Sequence, residues 1–252
     1  MAERDGRELL RRVEAQLRQR DPDFRWQRPG PPVLAGPAPN RPRLALVTTA
    51  GFHHRDDQPF DVLNRPGGDP GFRVIAHDLP AEQLALGEPY VDQKYAAVDP
   101  ECALPRRALD ALAARGAVGQ PPARHYSFCG GLVRPFPGLG QWLRRLNESL
   151  VEDRVEAVVL LPTCSVCVQT VCLVARAIEQ AGIPTVSLSL LPALSRLIGA
   201  PRLLNIRFPF GAPAGDPGHA ALHQAVLLEA VEMLTGSHPG PPIRDSTLRW
   251  RG

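Results

Sequence analysis

The sequence holds no run approaching the roughly 18 consecutive apolar residues of a membrane helix. Its charged opening, Met1-Ala2-Glu3-Arg4-Asp5, leads into no apolar stretch of signal-peptide type. Both absences predict a cytoplasmic chain with no membrane role. Aromatic residues make up only 6%, and the 29 basic side chains are scattered among 26 acidic ones instead of gathered in a block. The basic stripe with interleaved aromatics that serves nucleic acids is therefore missing, and no nucleic-acid partner is expected. No G-x-G-x-x-G follows a strand-like run, so no flavin or nicotinamide site is evident. Five cysteines, at 102, 129, 164, 167 and 172, make an odd count without an export signal, which argues against a static disulfide framework. One CxxC also falls short of the two close pairs common in structural zinc sites. Redox chemistry or metal binding is left for the cysteines.

What the chain does have is length and apolar pattern. Its 252 residues suit one large α/β domain. The 28 prolines and 22 glycines leave long apolar runs intact and so belong to loops. Residues 1–42 are expected to hold an N-terminal helix, Arg7 to Arg20, with Leu9, Leu10, Val13 and Leu17 on one face, followed by a proline-rich connector from Pro29 to Pro42. Residues 43–236 form the α/β domain and 237–252 a C-terminal tail. Within the domain, strands are predicted at 44–50, 72–76, 155–161 and 183–191. Helices are predicted at 104–114, 139–152, 168–181 and 219–234. The fold class is a three-layer α/β/α arrangement, flavodoxin- or Rossmann-like, with a mostly parallel sheet and crossover helices.

Cys164 and Cys167 stand in Pro162-Thr163-Cys164-Ser165-Val166-Cys167, between the strand at 155–161 and the helix after it. In a parallel sheet such a turn lies at the carboxyl end of a strand, where open α/β folds bind ligands. A helix N-terminus favours a thiolate, and the thiolate is the species that attacks, so the turn offers a nucleophile and a resolving partner. Helix position favours Cys167 as the more acidic thiol, analogy with thioredoxin-like turns favours Cys164, and both stay open. Other candidates are Thr48 and Thr49 at the end of a strand, His53 in the polar loop beyond Gly51, and His125 in Arg124-His125-Tyr126-Ser127-Phe128. Cys129 is a possible third thiol beside Gly130-Gly131, whereas Cys102 and Cys172 read as buried hydrophobes. Asp78 and Asp92 read as turn or capping residues.

Five ordered stretches carry a resemblance. These are Leu46-Val47-Thr48-Thr49-Ala50-Gly51 with His53 and Pro59-Phe60-Asp61; Phe72-Arg73-Val74-Ile75 before Asp78; Arg124 to Phe128; the CxxC turn leading to Ala175-Arg176, Glu179 and Ala181-Gly182-Ile183-Pro184-Thr185; and Arg207-Phe208-Pro209-Phe210-Gly211 with Pro213, Gly215 and Pro217-Gly218. Together they resemble the selenoprotein B family of the glycine, sarcosine, betaine and D-proline reductases, in a short single-chain form with cysteine where the family has selenocysteine. The resemblance spans about Arg43 to Leu234. The chain departs from it at Glu88-Pro89-Tyr90-Val91-Asp92-Gln93, where a histidine-rich stretch is reduced to Asp92.

The resemblance implies an oxidoreductase with a disulfide as acceptor, cleaving a C–N bond reductively in a small amino-acid-like substrate. Its redox couple would be the Cys164–Cys167 dithiol and disulfide, with His53 and His125 as proton donors and Arg207, with Thr48 and Thr49, binding the substrate. No cofactor is expected beyond dithiol/disulfide electron transfer. The electron donor would be a thiol protein or a low-molecular-weight thiol, and a reductase partner subunit is a possible companion. Two alternatives stand beside this: a zinc- or iron-binding module recruiting Cys164, Cys167 and Cys129 or His125, and a non-catalytic partner subunit of a reductase complex.

Overall fold

In the computed structural model, residues 2–62, 64, 68–87, 92–132, 139–236 and 242–250 are described. The first helix, α1 (Ala2–Arg20), is followed by an extended segment that leads to β1 (Leu44–Thr48), β2 (Phe52–His54), β3 (Phe72–Ala76) and β4 (Leu84–Leu86). Then come α2 (Lys94–Val98), a tight turn at Pro100–Cys102, α3 (Arg106–Ala114), β5 (Arg124–Phe128), α4 (Leu139–Glu152), β6 (Ala157–Leu161) and α5 (Ser165–Gln180). The chain ends with β7 (Thr185–Ser189), α6 (Pro192–Ile198), β8 (Leu203–Asn205), α7 (Ala220–Thr235) and β9 (Ile243–Asp245).

Seven strands form one sheet in the order β3-β5-β1-β6-β7-β8-β9. All neighbours run parallel except the edge pair β3 and β5. A separate antiparallel pair, β2 with β4, sits over the carboxyl end of β1. The three layers follow from strand alternation. Leu44 and Leu46 of β1 and Ala157, Val159 and Leu161 of β6 face one side, where they meet Leu109 and Leu112 of α3 and Val226, Leu227 and Ala230 of α7. Ala45, Val47, Val158 and Leu160 face the other side, against Leu146 and Leu150 of α4, Val171 and Ile178 of α5 and Leu194 and Ile198 of α6. These central strands are buried on both faces, so their sequence is continuously apolar. Each fully buried Leu or Val contributes about 1.5–3 kcal/mol of transfer free energy.

Three departures from expectation have local causes. On α1, Leu10 is buried, with Val13 and Leu17 packed beside it, but Leu9 is exposed because it stands 100° around the helix from Leu10. The proline-rich connector is strapped to the domain. Arg176 donates to the carbonyls of Pro29, Gly30 and Pro31, Glu179 accepts the Ala35 N–H, and Ala38 N–H reaches Leu234 O. Within 237–252, of which 237–241 and 251–252 lie outside the described residues, Ile243–Asp245 pairs with β8 as the last strand. No described helix is long and apolar enough to cross a membrane.

Candidate functional site at the carboxyl edge of the sheet

Strand order places a switch point between β1 and β6. From β1 the chain moves toward β5, and from β6 toward β7, so the two connections part above adjacent strand ends. This is the kind of crevice in which open α/β sheets hold ligands. Thr49 and the CxxC turn stand at these strand ends, with Thr49, Thr163 and Cys167 buried and Cys164 half-buried. Thr49 N–H donates to Leu161 O at 3.1 Å, Thr163 N–H to Thr49 Oγ1 at 3.1 Å, and the Thr163 hydroxyl to Thr49 O at 3.2 Å. Thr48 turns inward and accepts the Ala50 N–H at 3.2 Å. Thr163 was not singled out from sequence; its place between Pro162 and Cys164 was the signal available.

The helix after the turn starts three residues earlier than its apolar pattern suggests. Cys164 is its N-cap, with extended backbone (φ −144°, ψ 177°), and its sulfur accepts the Cys167 N–H at 3.0 Å. A sulfur here does the work that serine oxygen does at other helix starts. Both sulfurs are joined as a Cys164–Cys167 disulfide. The two positions differ in access: Cys164 is half-buried, whereas Cys167 is wholly buried. Around Cys167 Sγ lie the Thr163 hydroxyl at 3.5 Å and the backbone of Gly130. A Cβ at Gly130 would fall 2.5 Å from that sulfur and 2.6 Å from Thr49 Cβ, so the approach of β5 to the turn requires glycine. Thr170 Oγ1 holds the same glycine by donating to its carbonyl at 2.9 Å.

Cys129 precedes this glycine and bridges Ala50, but its own thiol faces Gly87 O at 3.7 Å. His53 lies on the other side of Gly87: it is buried, packs against Phe60, and its Cδ2 would be 3.3 Å from a Cβ at Gly87. His53 Nδ1 donates to His54 O at 2.9 Å, which leaves the lone pair on Nε2. Thr49, Cys129, Gly130, Cys164, Cys167 and, one backbone segment away, His53 thus share one end of the sheet.

His125 does not join them. It stands four positions before Cys129, about 13 Å along the strand. Its Nδ1 accepts the Leu46 N–H at 3.1 Å and its Nε2 meets His77 Nδ1 at 2.8 Å, and His77 Nε2 continues to Asp110 at 2.8 Å. Burial, with the neighbouring His77 and Arg106 charges, holds the His125 pKa well below its ordinary value of 6.5. Arg207 is exposed and lines an adjoining cleft of about 880 Å³ with Arg196, Leu190 and Phe208. Its loop returns to the turn through Gly211 N–H, which donates to Thr163 O at 2.8 Å. Cys172 is fully buried, and burial pushes its thiol up to about 12. Asp92 accepts the Lys94 N–H before α2 as a turn residue, whereas 88–91 lie outside the described residues. Among the described residues, Cys164, Cys167, Cys129 and His125 form no group of close metal-ligating atoms; such a group exists at Asp99, Cys102 and His223.

No family model matches the chain, and no solved structure matches it significantly. Curated relatives do. The D-proline reductase subunit gamma of Acetoanaerobium sticklandii is 29% identical over 191 residues, covering 76% of this chain and 77% of the relative. The glycine reductase complex component B subunit gamma of Symbiobacterium thermophilum is 26% identical over 228 residues, covering 88% of this chain and 52% of the relative. The sarcosine reductase complex component B subunit beta of Peptoclostridium acidaminophilum is 26% identical over 216 residues, covering 81% and 48%. The chain therefore spans about three quarters of the first relative and about half of the other two.

Proposed function

We propose that this chain, a homologue of the D-proline, glycine and sarcosine reductase subunits, is itself the thiol-bearing subunit of a reductase complex. Its CxxC turn would pass two electrons to a small amino-acid-like substrate. The supporting observation is the unequal placing of the two sulfurs. Cys164 is reachable and sits at a helix N-terminus with an N–H directed at it, the setting that stabilises a thiolate. Cys167 is buried directly behind it. The Thr163 hydroxyl donates its single proton to Thr49 O, so toward Cys167 it is an acceptor and suits a protonated thiol.

In this scheme Cys164 thiolate attacks the substrate carbon, a C–S bond forms, the C–N bond breaks and the amine leaves with a proton. The Cys167 thiol then gives up its proton and its sulfur attacks Cys164 sulfur. The S–S bond forms, the C–S bond breaks, and the carbon takes up a proton. The dithiol loses two electrons and the substrate gains them. An external thiol protein or low-molecular-weight thiol restores the dithiol. Of the proposed proton carriers His53, whose Nε2 keeps its lone pair, shares this end of the sheet and His125 does not, and Arg207 in its cleft would take a carboxylate.

The test is trapping. With the substrate of a reconstituted complex, Cys167→Ser protein should accumulate a covalent adduct on Cys164 by mass spectrometry, and Cys164→Ser protein none. A second reading, a non-catalytic subunit, is favoured by the relatives' names as complex subunits and by the half-length match to two of them. Full activity of both serine variants in the complex would establish that second reading instead.

A further inference from the structure

We propose that Asp99, Cys102 and His223 bind one divalent transition-metal ion, zinc by the chemistry of the donors, at the rim of the sheet and apart from the CxxC turn. One ligand-capable atom of each lies within 4.8 Å of the other two, and all three residues are buried. Thiolate, imidazole and carboxylate together suit zinc, whereas calcium and magnesium prefer all-oxygen shells.

Each donor is already oriented by a neighbour, as metal ligands usually are. His223 Nε2 donates to Asp216 O at 2.7 Å, which leaves the lone pair of a neutral ring on Nδ1. Asp99 Oδ1 takes the Glu101 N–H at 3.1 Å and the Arg107 guanidinium at 2.9 Å, and Oδ2 takes only the Gly218 N–H, at 2.7 Å, among the described residues. Cys102 closes the Pro100–Cys102 turn, and its carbonyl accepts the Ala214 N–H at 2.8 Å.

A bound cation would deprotonate the Cys102 sulfur on coordination. A shallow recess lined by Asp216, Pro217, Gly218 and His219 adjoins the cluster and offers a way in. The site would join the 99–102 turn to the first turn of α7, which follows the 211–219 loop whose Gly211 N–H supports Thr163 of the crevice. It does not depend on the thiol chemistry proposed above.

The experiment is elemental analysis of the full chain purified without chelators, with X-ray absorption at the zinc edge. Stoichiometric zinc is expected, unchanged in the Cys164→Ser/Cys167→Ser double variant and lost in Cys102→Ala. The wild-type spectrum should show a single sulfur at about 2.3 Å among nitrogen and oxygen ligands, which decides the matter even if Cys102→Ala fails to fold. Absence of bound metal after dialysis against zinc, a shell with two sulfurs, or loss of the metal in the double variant would overturn the site.

Discussion

Gly130→Ala is the most demanding perturbation of the crevice because the structure fixes its size. The new Cβ would stand 2.5 Å from Cys167 Sγ and 2.6 Å from Thr49 Cβ, against about 3.5–4.0 Å for an ordinary contact. At least one neighbour must retreat by about 1 Å. Neither can do so cheaply: Thr49 is tied to Leu161 and Thr163, and Cys167 lies in the first turn of α5. Overpacking of this kind costs about 1–3 kcal/mol. For a chain of this size that is a fall in Tm of about 2–12 °C. Thermal unfolding of wild type and variant measures it, and alkylation of the reduced proteins should show Cys167 exposed in the variant alone. A variant with wild-type Tm and wild-type Cys167 protection would refute the close approach of β5 to the turn.

Under reducing conditions, Cys164→Ser should keep the helix cap and leave stability within a few tenths of a kcal/mol, whereas Cys164→Ala should lose about 0.5–2 kcal/mol in urea unfolding; equal costs would mean that the sulfur does not cap α5. Glu179 is buried and accepts from Ala35 N, Thr185 N, Thr185 Oγ1 and Arg202. Glu179→Ala should therefore cost about 3–5 kcal/mol by leaving Arg202 unpaired, and a loss below about 1 kcal/mol would contradict it. His125 has a folded pKa depressed below its unfolded value of 6.5, so the unfolded chain binds the proton first. Stability is then fully present above pH 6.5 and falls below it by about 1.4 kcal/mol per pH unit from this group. Urea midpoints at pH 7.5 and 5.5 should differ, less so in His125→Asn, and equal midpoints would show that the ring titrates freely.

Where burial alone decided the pattern, the fold was legible in the sequence. Strands β1, β6 and β7 are buried on both faces and read as plain apolar runs, and α4 was expected at its observed bounds, 139–152. Strand β5 was missed because it carries Arg124, His125, Tyr126 and Ser127, the first three of which find partners distant in sequence: His77 for His125 and Asp153 for Arg124 and Tyr126. The three-residue strands β2, β4, β8 and β9 are too short for any period to show. At the site, the CxxC turn and Thr49 were legible because they end recognisable strands. The role of Cys164 as the cap was not, since helix propensity gives sulfur no capping rank. His125 drew attention as a histidine in a polar cluster, but tertiary contacts occupy both its nitrogens. The grouping of Asp99 and Cys102 with His223 depends on a loop returning across more than a hundred residues, which no local pattern reveals.

The central claim is that Cys164 is the reachable, ionised sulfur and Cys167 its buried resolving partner. Timed alkylation of the reduced protein across a pH series, read at each cysteine by mass spectrometry, tests it most directly. Cys164 should react fastest, with a midpoint below the ordinary cysteine value of about 8.5, while Cys102, Cys129, Cys167 and Cys172 lag. Faster reaction at Cys167, or a Cys164 midpoint at or above the ordinary value, would contradict the account.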